Sequence, residues 1–419
     1  MNVMVIGGGG REHAIVKKLR ENPEITELYA LPGNGGMARE ATCVPIGATD
    51  LPAIGAFAKE KAIDYAVVTP DDPLVLGAVD LLEAQGVPCF GPNKAAAILE
   101  GSKAFAKDFM ARHHIPTAAY RTFTDPAAAL AYVQNCPLPT VVKADGLALG
   151  KGVVIAETRE DATAAVRAAM CEGKFGHSGE TIVIEEFLTG PEVSVLTFTD
   201  GKTLVPMVSS MDHKRALDGD KGLNTGGMGT IAPNPYYTDA VAQRCMAEIF
   251  LPTIRGMAAE GRPFKGCLYF GLMLTPTGPK VIEYNCRFGD PETQVVLALL
   301  ESDLFTVMRA VTEERLHEAD VRFSNGAAAC VILASKGYPL SYEKGFEIAM
   351  TEEVRPHVLF AGAKEQNGKL CTSGGRVLGV VGTGKTLPEA LALAYARVEQ
   401  VSFDNEFYRR DIGKRALEA

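Results

Sequence analysis

Short apolar runs alternate with segments of helical periodicity through the first hundred residues, and this alternation constrains the fold more than any other feature. The runs at 3–6, 28–31, 65–69 and 87–90 are predicted strands, and helices are predicted at 12–20, 51–60 and 74–85. Strand–helix alternation predicts a doubly wound parallel sheet, which binds ligands at the carboxyl ends of its strands. We therefore expect an α/β N-terminal domain with its ligand site at that edge.

The first of these strand ends carries the run Gly7-Gly8-Gly9-Gly10, directly before a predicted helix. Residues without side chains let backbone N–H groups and the positive helix end approach an anion. A dinucleotide fingerprint is the alternative, but Glu12 or His13 stands where its third glycine belongs. The second strand also lacks the acid that would bind a ribose. We favour a phosphate site without NAD, including Gly9 and Gly10, over a purely structural tight turn.

The rest of the chain changes pattern twice. From residue 116, strands at 120–123, 140–144, 153–156 and 181–186 alternate with helices, which predicts a small lobe of two βαβ-like halves. From residue 190 the strands are longer and antiparallel, with a hairpin turn at Asp200-Gly201. A predicted helix at 239–259 contains Pro252, where we expect a kink. At 419 residues the chain is expected to hold two to four domains.

The most informative polar cluster follows the apolar residues Val281 and Ile282. Side chains of a strand alternate between its faces, so Glu283, Asn285 and Arg287 should share one face. Carboxylate and amide oxygens suit Mg²⁺, and a guanidinium clamps phosphate oxygens. One strand face therefore offers two metal ligands and a phosphate clamp. A surface salt-bridge ladder is the alternative.

Two further loops carry clustered polar groups and glycines. Lys143 ends a very apolar strand, where it needs an anionic partner. The glycines that follow suit a flap over phosphates. Downstream, a charged segment leads into a glycine-rich loop, which indicates a substrate-binding loop rather than a mobile surface excursion. The residues concerned are Gly146, Lys151 and Gly152 in the first loop, and Asp212, Lys214, Asn224, Gly226 and Gly227 in the second.

A third motif is interpreted as accidental. Residues 379–386 match the phosphate-loop pattern G-x-x-x-x-G-K-T. In a true phosphate loop the strand ends before the first glycine, whereas here it is predicted to run through Gly379. Too few residues follow for a nucleotide-binding domain.

The composition excludes some classes of function. The formal charge of −9 argues against broad binding to nucleic acid, which depends on neutralising phosphates. Nine scattered cysteines form no C-x-x-C pair and are expected to be reduced. No apolar run reaches membrane-spanning length, and no leader pattern opens the chain. We expect a cytoplasmic protein without nucleic-acid or membrane partners.

In combination, these motifs resemble those of the ATP-grasp ligases and, among them, the phosphoribosylamine–glycine ligase family. The resemblance extends in order through most of the chain. It rests on the segments 9–14, 32–34, 101–105, 143–147, 212–215, 224–229 and 285–293, with 374–378 near the end. It implies an N-terminal Rossmann-like substrate domain (1–100), a linker helix and small lid subdomain (101–190), a central ATP-grasp subdomain (191–325) and a small α+β C-terminal domain (326–419).

The resemblance also implies roles for individual residues. Magnesium or manganese would bind Glu283 and Asn285, with Arg287 beside the transferred phosphoryl group. ATP would contact Lys103, Lys143, the hinge residues Glu185 and Leu188, and the ribose acid Glu192. The substrate groups implied are Gly9, Gly10, Asn34, Asp212, Lys214, Asn224, Gly226, Gly227 and Asp290. The strand preceding Glu283 carries Gly271 where related enzymes place another metal carboxylate, so the number of metal ions is left open.

The implied reaction joins glycine to 5-phosphoribosylamine through glycyl phosphate, in purine biosynthesis, and we expect a monomer. Three alternatives remain at this level. The chain could act on another carboxylate, as purine-pathway carboxylases do, or be a catalytically silent nucleotide-binding regulator. The third alternative, a NAD oxidoreductase, is disfavoured by the missing ribose acid.

Overall fold

The predicted alternation of strands and helices forms a parallel sheet in the computed structural model, which describes residues 1–148 and 152–419. Its strand order is β3-β2-β1-β4-β5, with β1 pairing in parallel with both β2 and β4. The elements are β1 (Asn2–Gly7), α1 (Gly10–Leu19), β2 (Glu27–Pro32), β3 (Thr42–Cys43), α2 (Leu51–Glu60), β4 (Tyr65–Val68), α3 (Asp71–Leu76), α4 (Ala78–Glu83) and β5 (Cys89–Phe90). The fold class predicted for this region is confirmed.

The helices differ from the prediction at two places. The helix predicted at 74–85 is divided by Gly77, whose φ of +99° ends α3 in a left-handed turn. Helix α5 (Lys94–Gly101) was not predicted, and α6 (Lys103–Arg112) follows it directly. Ser102 caps α6, since its Oγ accepts a hydrogen bond from the Phe105 N–H at 3.0 Å.

Residues 120–186 form the small lobe. It contains β6 (Tyr120–Phe123), α7 (Pro126–Val133), β7 (Thr140–Ala144), β8 (Val153–Ala156), α8 (Arg159–Met170) and β9 (Ile182–Glu186). The predicted βαβ-like halves are wrong, because β6 and β7 both pair antiparallel with β9, and β8 pairs antiparallel with β7. Helices α7 and α8 cover one apolar cluster, whose members all lie between residues 123 and 184.

The central sheet has the order β11-β10-β16-β17 and is antiparallel. Between residues 191 and 325 the elements are β10 (Glu192–Asp200), β11 (Leu204–Pro206), β12 (Met211–Asp212), β13 (Arg215–Leu217), β14 (Lys221–Asn224), β15 (Gly229–Ala232), α9 (Asp239–Cys245), α10 (Leu251–Ala259), β16 (Lys265–Thr275), β17 (Gly278–Asn285), α11 (Glu292–Val296) and α12 (Leu304–Thr312). The kink expected at Pro252 takes the form of a π-helical turn, Met246–Phe250, between α9 and α10. Because Pro252 has no N–H to donate to the preceding turn, the helix widens by one residue there.

The C-terminal sheet draws strands from two distant parts of the chain. Its order is β12-β15-β18-β23-β20, with β25 beside β18, so β12 and β15 join it from the central region. The elements from residue 326 onward are β18 (Ala327–Ser335), β19 (Ala349–Met350), β20 (Val358–Phe360), β21 (Ala363–Gln366), β22 (Lys369–Thr372), β23 (Arg376–Gly384), α13 (Leu387–Val398), β24 (Val401–Ser402), β25 (Glu406–Phe407) and α14 (Lys414–Leu417).

The N-terminal, central and C-terminal sheets, the three larger ones, share one buried apolar cluster. One apolar cluster contains residues of β1, β10, β16 and β18, including Val5, Leu196, Cys267 and Cys330. The small lobe has its own cluster, and none of its described residues belongs to the shared one. Across the residues that the structure describes, every helix is too short or too polar to cross a bilayer.

Candidate active site

The polar face predicted on β17 is present. Tyr284, Cys286 and Phe288 are buried, while the alternating Glu283, Asn285 and Arg287 are partly exposed on the opposite side. The pairing register of β16 and β17 shifts just before Glu283, and Ile282 is the extra residue. Its carbonyl accepts a hydrogen bond from Lys143 Nζ at 3.2 Å. The irregularity therefore joins the small lobe to the central sheet at this face.

Glu283 lies in a strongly cationic setting. Burial would raise its pKa, but Lys214, Lys143, Lys103 and Arg287 hold the pKa of this carboxyl below its usual value. The carboxylate therefore stays ionised at neutral pH. An ionised carboxylate with four cationic groups nearby can bind a polyanionic ligand together with its metal ion.

The same face fits a divalent metal ion. Glu283 Oε1 lies 3.5 Å from the Asn285 amide nitrogen, and a half-turn of that amide would place two oxygen donors side by side. Gly271 pairs directly with Glu283 on β16 and supplies no carboxylate. Among the described residues, no group of three or more His, Cys, Asp or Glu side chains is placed to hold a metal. Remaining ligands would have to come from substrate phosphates and water, as is common for Mg²⁺.

Arg287 is fixed by two carboxylates that sequence reasoning did not identify. One guanidinium nitrogen lies 3.0 Å from Glu100 Oε1 and 3.9 Å from Asp71 Oδ2. The other Glu100 oxygen accepts the Cys286 N–H at 2.6 Å. Burial raises the pKa of Glu100 to about 7, although Arg287 opposes the shift. Within the described part of the chain, Arg287 Nε is buried without a hydrogen-bond partner, so one donor remains for a ligand.

Lys143 has the anionic partner that its position requires. It forms an ion pair with Glu185, which also pairs with Lys107 of α6. The three side chains are at most 6% exposed. Lys107 also donates to Thr117 Oγ1 at 2.8 Å. The carboxylate of Glu185, predicted at the hinge, is thus occupied by two lysines, and the group retains one net positive charge.

The other residues predicted to contact ATP lie around this cluster. Lys103 Nζ donates to the Gly146 carbonyl at 2.9 Å, which holds the glycine flap against the start of α6. Gly152 packs so closely that a Cβ there would come within 2.7 Å of Ala148. Leu188 is partly buried just after β9, and Glu192 is exposed at the start of β10. Lys151 lies outside the described residues.

The N-terminal glycine run lies beside Asp290 and Gln294. Gly9 precedes α1, and its N–H donates to Glu12 Oε2 at 2.6 Å. A Cβ on Gly10 would come within 2.8 Å of Gln294. The Asn34 side chain is occupied by the protein: it donates to the Gly8 and Phe360 carbonyls at 3.0 and 2.7 Å. Asn34 therefore fastens the glycine run to the C-terminal region.

The predicted substrate loop contains an ordered hairpin, β13–β14, in which Asn224 pairs with Arg215. Lys214 Nζ pairs with Asp212 Oδ2 at 2.9 Å. Burial would lower the pKa of Lys214, but Asp212 raises it well above the usual value, so this ammonium stays charged. Burial and the charge of Asp212 raise the pKa of nearby Glu292.

Gly226, Gly227 and Asp290 come together at the far side of this loop. A Cβ on Gly227, whose φ is +115°, would come within 2.6 Å of Asp212 Oδ1. Asp290 Oδ1 accepts a hydrogen bond from Gln294 Nε2 at 2.8 Å. Burial would raise the pKa of Asp290, but Arg376 and Arg11 lower it below the usual value.

Several residues that hold the site were missed from the sequence. Lys107 gave the clearest available signal, since it follows Lys103 by one helical turn on a face that also buries Ala106 and Met110. Glu100 ends an apolar helix and was equally visible. The roles of Glu292 and Arg376 depend on contacts between distant segments, which a single sequence does not reveal.

Comparison with known proteins finds relatives over the whole chain. Sequence models of the phosphoribosylglycinamide synthetase family match the chain in three parts: the N domain at residues 1–100, the ATP-grasp (A) domain at 101–293 and the C domain at 328–415. The phosphoribosylamine–glycine ligase of Vibrio vulnificus is 48% identical, covering all of this chain and 99% of the relative. That of Clostridium acetobutylicum is 46% identical, covering 99% of this chain and all of the relative.

Solved structures show the same relationship. The phosphoribosylamine–glycine ligase of Thermotoga maritima superposes with a TM-score of 0.87 at 36% identity, covering 98% of this chain and all of that one. Biotin carboxylase of Campylobacter jejuni shares the fold, with a TM-score of 0.75 at 14% identity over 97% of this chain and 93% of its own. The chain thus belongs to the phosphoribosylglycinamide synthetase family of ATP-grasp ligases.

Proposed function

We propose that this chain is a phosphoribosylamine–glycine ligase, which joins glycine to 5-phosphoribosylamine at the expense of ATP. The full-length identity of 48% to ligases of that name carries the assignment. The site is consistent with it, because hard oxygen donors at the end of a strand lie close to three lysines and to the guanidinium that follows the strand.

In the proposed reaction a glycine carboxylate oxygen attacks the γ-phosphorus of ATP, giving glycyl phosphate and ADP. The amine of phosphoribosylamine then attacks the carbonyl carbon, phosphate leaves, and glycinamide ribonucleotide forms. Phosphoryl transfer depends mainly on positioning and charge stabilisation. Lys143 and Lys103 would orient the phosphates, and Arg287, held by Glu100 and Asp71, would stabilise charge on the transferred group.

ATP-grasp ligases use ATP with a divalent metal ion, and we propose that Glu283 and Asn285 hold Mg²⁺ or Mn²⁺ here. The metal would neutralise charge on the triphosphate. We propose contacts to ATP from the flap residues Gly146, Lys151 and Gly152, the hinge residues Glu185 and Leu188, and Glu192.

Asp212 and Asp290 are the proposed sites for the glycine ammonium. Asp290 is the better supported, because its pKa stays low in the folded protein. Gly9, Gly10 and the loop with Lys214, Asn224, Gly226 and Gly227 would surround the phosphoribosylamine. We also propose that the enzyme is a monomer and acts in the cytoplasm.

Phosphate release, with each substrate omitted in turn, tests the function. We expect release to require ATP, glycine and phosphoribosylamine together, with glycinamide ribonucleotide as product. Bicarbonate and other amino acids in place of glycine serve as controls for the alternative acceptors. Full turnover with one of these, or without phosphoribosylamine, would overturn the proposal.

A further inference from the structure

Arg376 joins two parts of the candidate substrate site, although it lies on the C-terminal strand β23. Its Nη1 donates to the Gly226 carbonyl at 2.7 Å and to the Asp290 carbonyl at 2.7 Å. Its Nη2 lies 3.4 Å from Asp290 Oδ2. One guanidinium therefore connects the glycine-rich loop with the residue that is the better candidate for glycine binding.

A second C-terminal residue holds the same loop. The Tyr338 hydroxyl accepts a hydrogen bond from the Gly226 N–H at 3.0 Å. Gly226 is thus bound through its N–H to Tyr338 and through its carbonyl to Arg376. Both partners lie after residue 326, whereas the loop and Asp290 lie before it.

The other neighbours of Asp290 show that Arg376 helps to orient its carboxylate. Gln294 occupies Asp290 Oδ1, and Oδ2 faces Arg376. A Cβ on Gly9 would come within 3.3 Å of the same Oδ2. The direction of this carboxylate is therefore set by Arg376 and Gln294, immediately beside the N-terminal glycine run.

The loop also has little freedom to adjust by itself. Gly227 is wedged against Asp212 and Pro291, with no room for a Cβ. A displacement of Gly226 would move Gly227 and, through it, the surroundings of Asp212. Arg376 consequently bears on both candidate sites for the glycine ammonium.

We propose that Arg376 is a positioning residue of the ligase: it holds the loop at 226–227 and the Asp290 carboxylate in the arrangement that binds glycine and phosphoribosylamine. This inference rests on the proposed function. Arg376 acts through these groups, and among the described residues its polar contacts are with Gly226, Gly227 and Asp290 rather than with the Lys143 cluster, so the ATP site should not depend on it. A planar guanidinium suits several acceptors at fixed angles, which a lysine ammonium on a flexible stem does not reproduce.

The test is steady-state kinetics of the full-length Arg376→Lys variant. We expect KM for glycine or for phosphoribosylamine to rise about tenfold or more. The Kd of a non-hydrolysable ATP analogue should stay within about twofold of wild type, and kcat should fall by less than about threefold. A merely structural defect would move the ATP analogue Kd and kcat as well, or lower the active fraction without changing KM.

Arg397→Lys is the matched control. Arg397 is also a partly buried C-terminal arginine that donates to a carbonyl, that of Val381 at 2.6 Å, but it lies away from the loop. Its replacement should leave both acceptor KM values within about twofold of wild type. Equal effects of the two replacements would overturn the inference.

Tyr338→Phe provides a second variant that removes only the hydroxyl bonded to Gly226. We expect a rise of about two- to fivefold in the KM that Arg376→Lys affects, and this variant decides alone if Arg376→Lys does not fold. Unchanged KM values in a folded variant, measured against an active wild type, would refute the positioning role. Loss of glycine-dependent turnover in the wild type itself would instead refute the proposed function.

Discussion

The buried group formed by Lys107, Lys143 and Glu185 shows how single residues set the charge of the site. Burial of two ammonium groups is costly unless they are paired, and Glu185 serves both. Burial lowers the pKa of Lys107 to about 8, although Glu185 opposes the shift. The carboxylate itself stays ionised, because Lys143 and Lys107 outweigh the effect of burial on its pKa. The group can therefore receive an anionic phosphate without further neutralisation.

At the same scale, Arg287→Ala should lower kcat by about 10²–10³, the usual loss when one stabiliser of transition-state charge is removed. Substrate turnover and the thermal melting curve should be measured together. Glu100 is left unpaired in this variant, and its pKa rises further because Arg287 no longer lowers it, so the carboxyl takes up a proton instead of remaining a buried anion.

Arg309→Ala is a suitable control for this measurement, because Arg309 pairs with Glu24 and Glu313 at the surface. It should retain the wild-type kcat. A loss smaller than tenfold in Arg287→Ala would exclude Arg287 from the chemical step.

Residue-level prediction succeeded where a local period decides the outcome. The two-residue repeat of β17 continues past its end at Asn285, so it was sufficient to predict that Glu283, Asn285 and Arg287 alternate with the buried Tyr284, Cys286 and Phe288. It could not show that Glu185 faces Lys143, because that contact depends on the pairing of β7 with β9. The register between strands is set by tertiary packing rather than by the sequence of either strand alone.

Strand β23 shows that the motif at 379–386 is not a phosphate loop. The strand runs from Arg376 to Gly384, straight through Gly379, as predicted. A Cβ on Gly382 would collide with the backbone of Ala390 and Ala394 in α13. These glycines therefore permit close packing of a strand and a helix, and the motif has no loop that could surround a phosphate.

Lys385→Ala should accordingly leave the ATP affinity within about twofold of wild type, since Lys385 is exposed at the end of this strand. Isothermal titration with a non-hydrolysable ATP analogue measures the effect. Lys143→Ala is the comparison, and it should weaken binding at least about tenfold by removing a charge-assisted contact. Loss of affinity in Lys385→Ala would reinstate the phosphate-loop interpretation.

Most individual elements could be predicted from periodicity, and their assembly into sheets could not. The predicted bounds of α2, β6, β7 and β8 coincide with those observed. The antiparallel order of the small lobe and the transfer of β12 and β15 to the C-terminal sheet were not foreseen. Both depend on which strands meet after collapse, and the pattern within a segment carries no record of its partner.

For the molecule as a whole, His213 links acidity to stability. Its Nδ1 donates to the Gly229 carbonyl at 3.1 Å, and its Nε2 accepts the Gly413 N–H at 3.0 Å, so the ring is neutral. Burial lowers the pKa of His213 to about 4. The unfolded chain, with an ordinary histidine pKa near 6.5, takes up the proton first. The free energy of unfolding should therefore decrease as the pH falls from about 6.5 to about 4.

Urea denaturation at pH 7 and pH 5 checks this prediction. His213→Gln should show a smaller loss of unfolding free energy between the two pH values than the wild type. The full contribution of one such histidine is up to about 3 kcal/mol. Buried His13, whose pKa is also lowered, keeps its share in both proteins.

Replacement of the exposed His317 provides the control and should leave the pH dependence as in the wild type. Identical losses in His213→Gln and wild type would show that His213 does not contribute.

The separate apolar cluster of the small lobe affects how this lobe can move relative to the rest of the protein. A lobe whose apolar side chains pack against one another can tilt without exposing them to water. Rotation of this lobe would mainly require the exchange of polar contacts, such as the hydrogen bond from Lys143 to the Ile282 carbonyl. The three larger sheets cannot move in this way, because displacing any one of them would expose the apolar cluster that they share. We therefore expect opening and closing to be confined to this lobe, while the three larger sheets stay together.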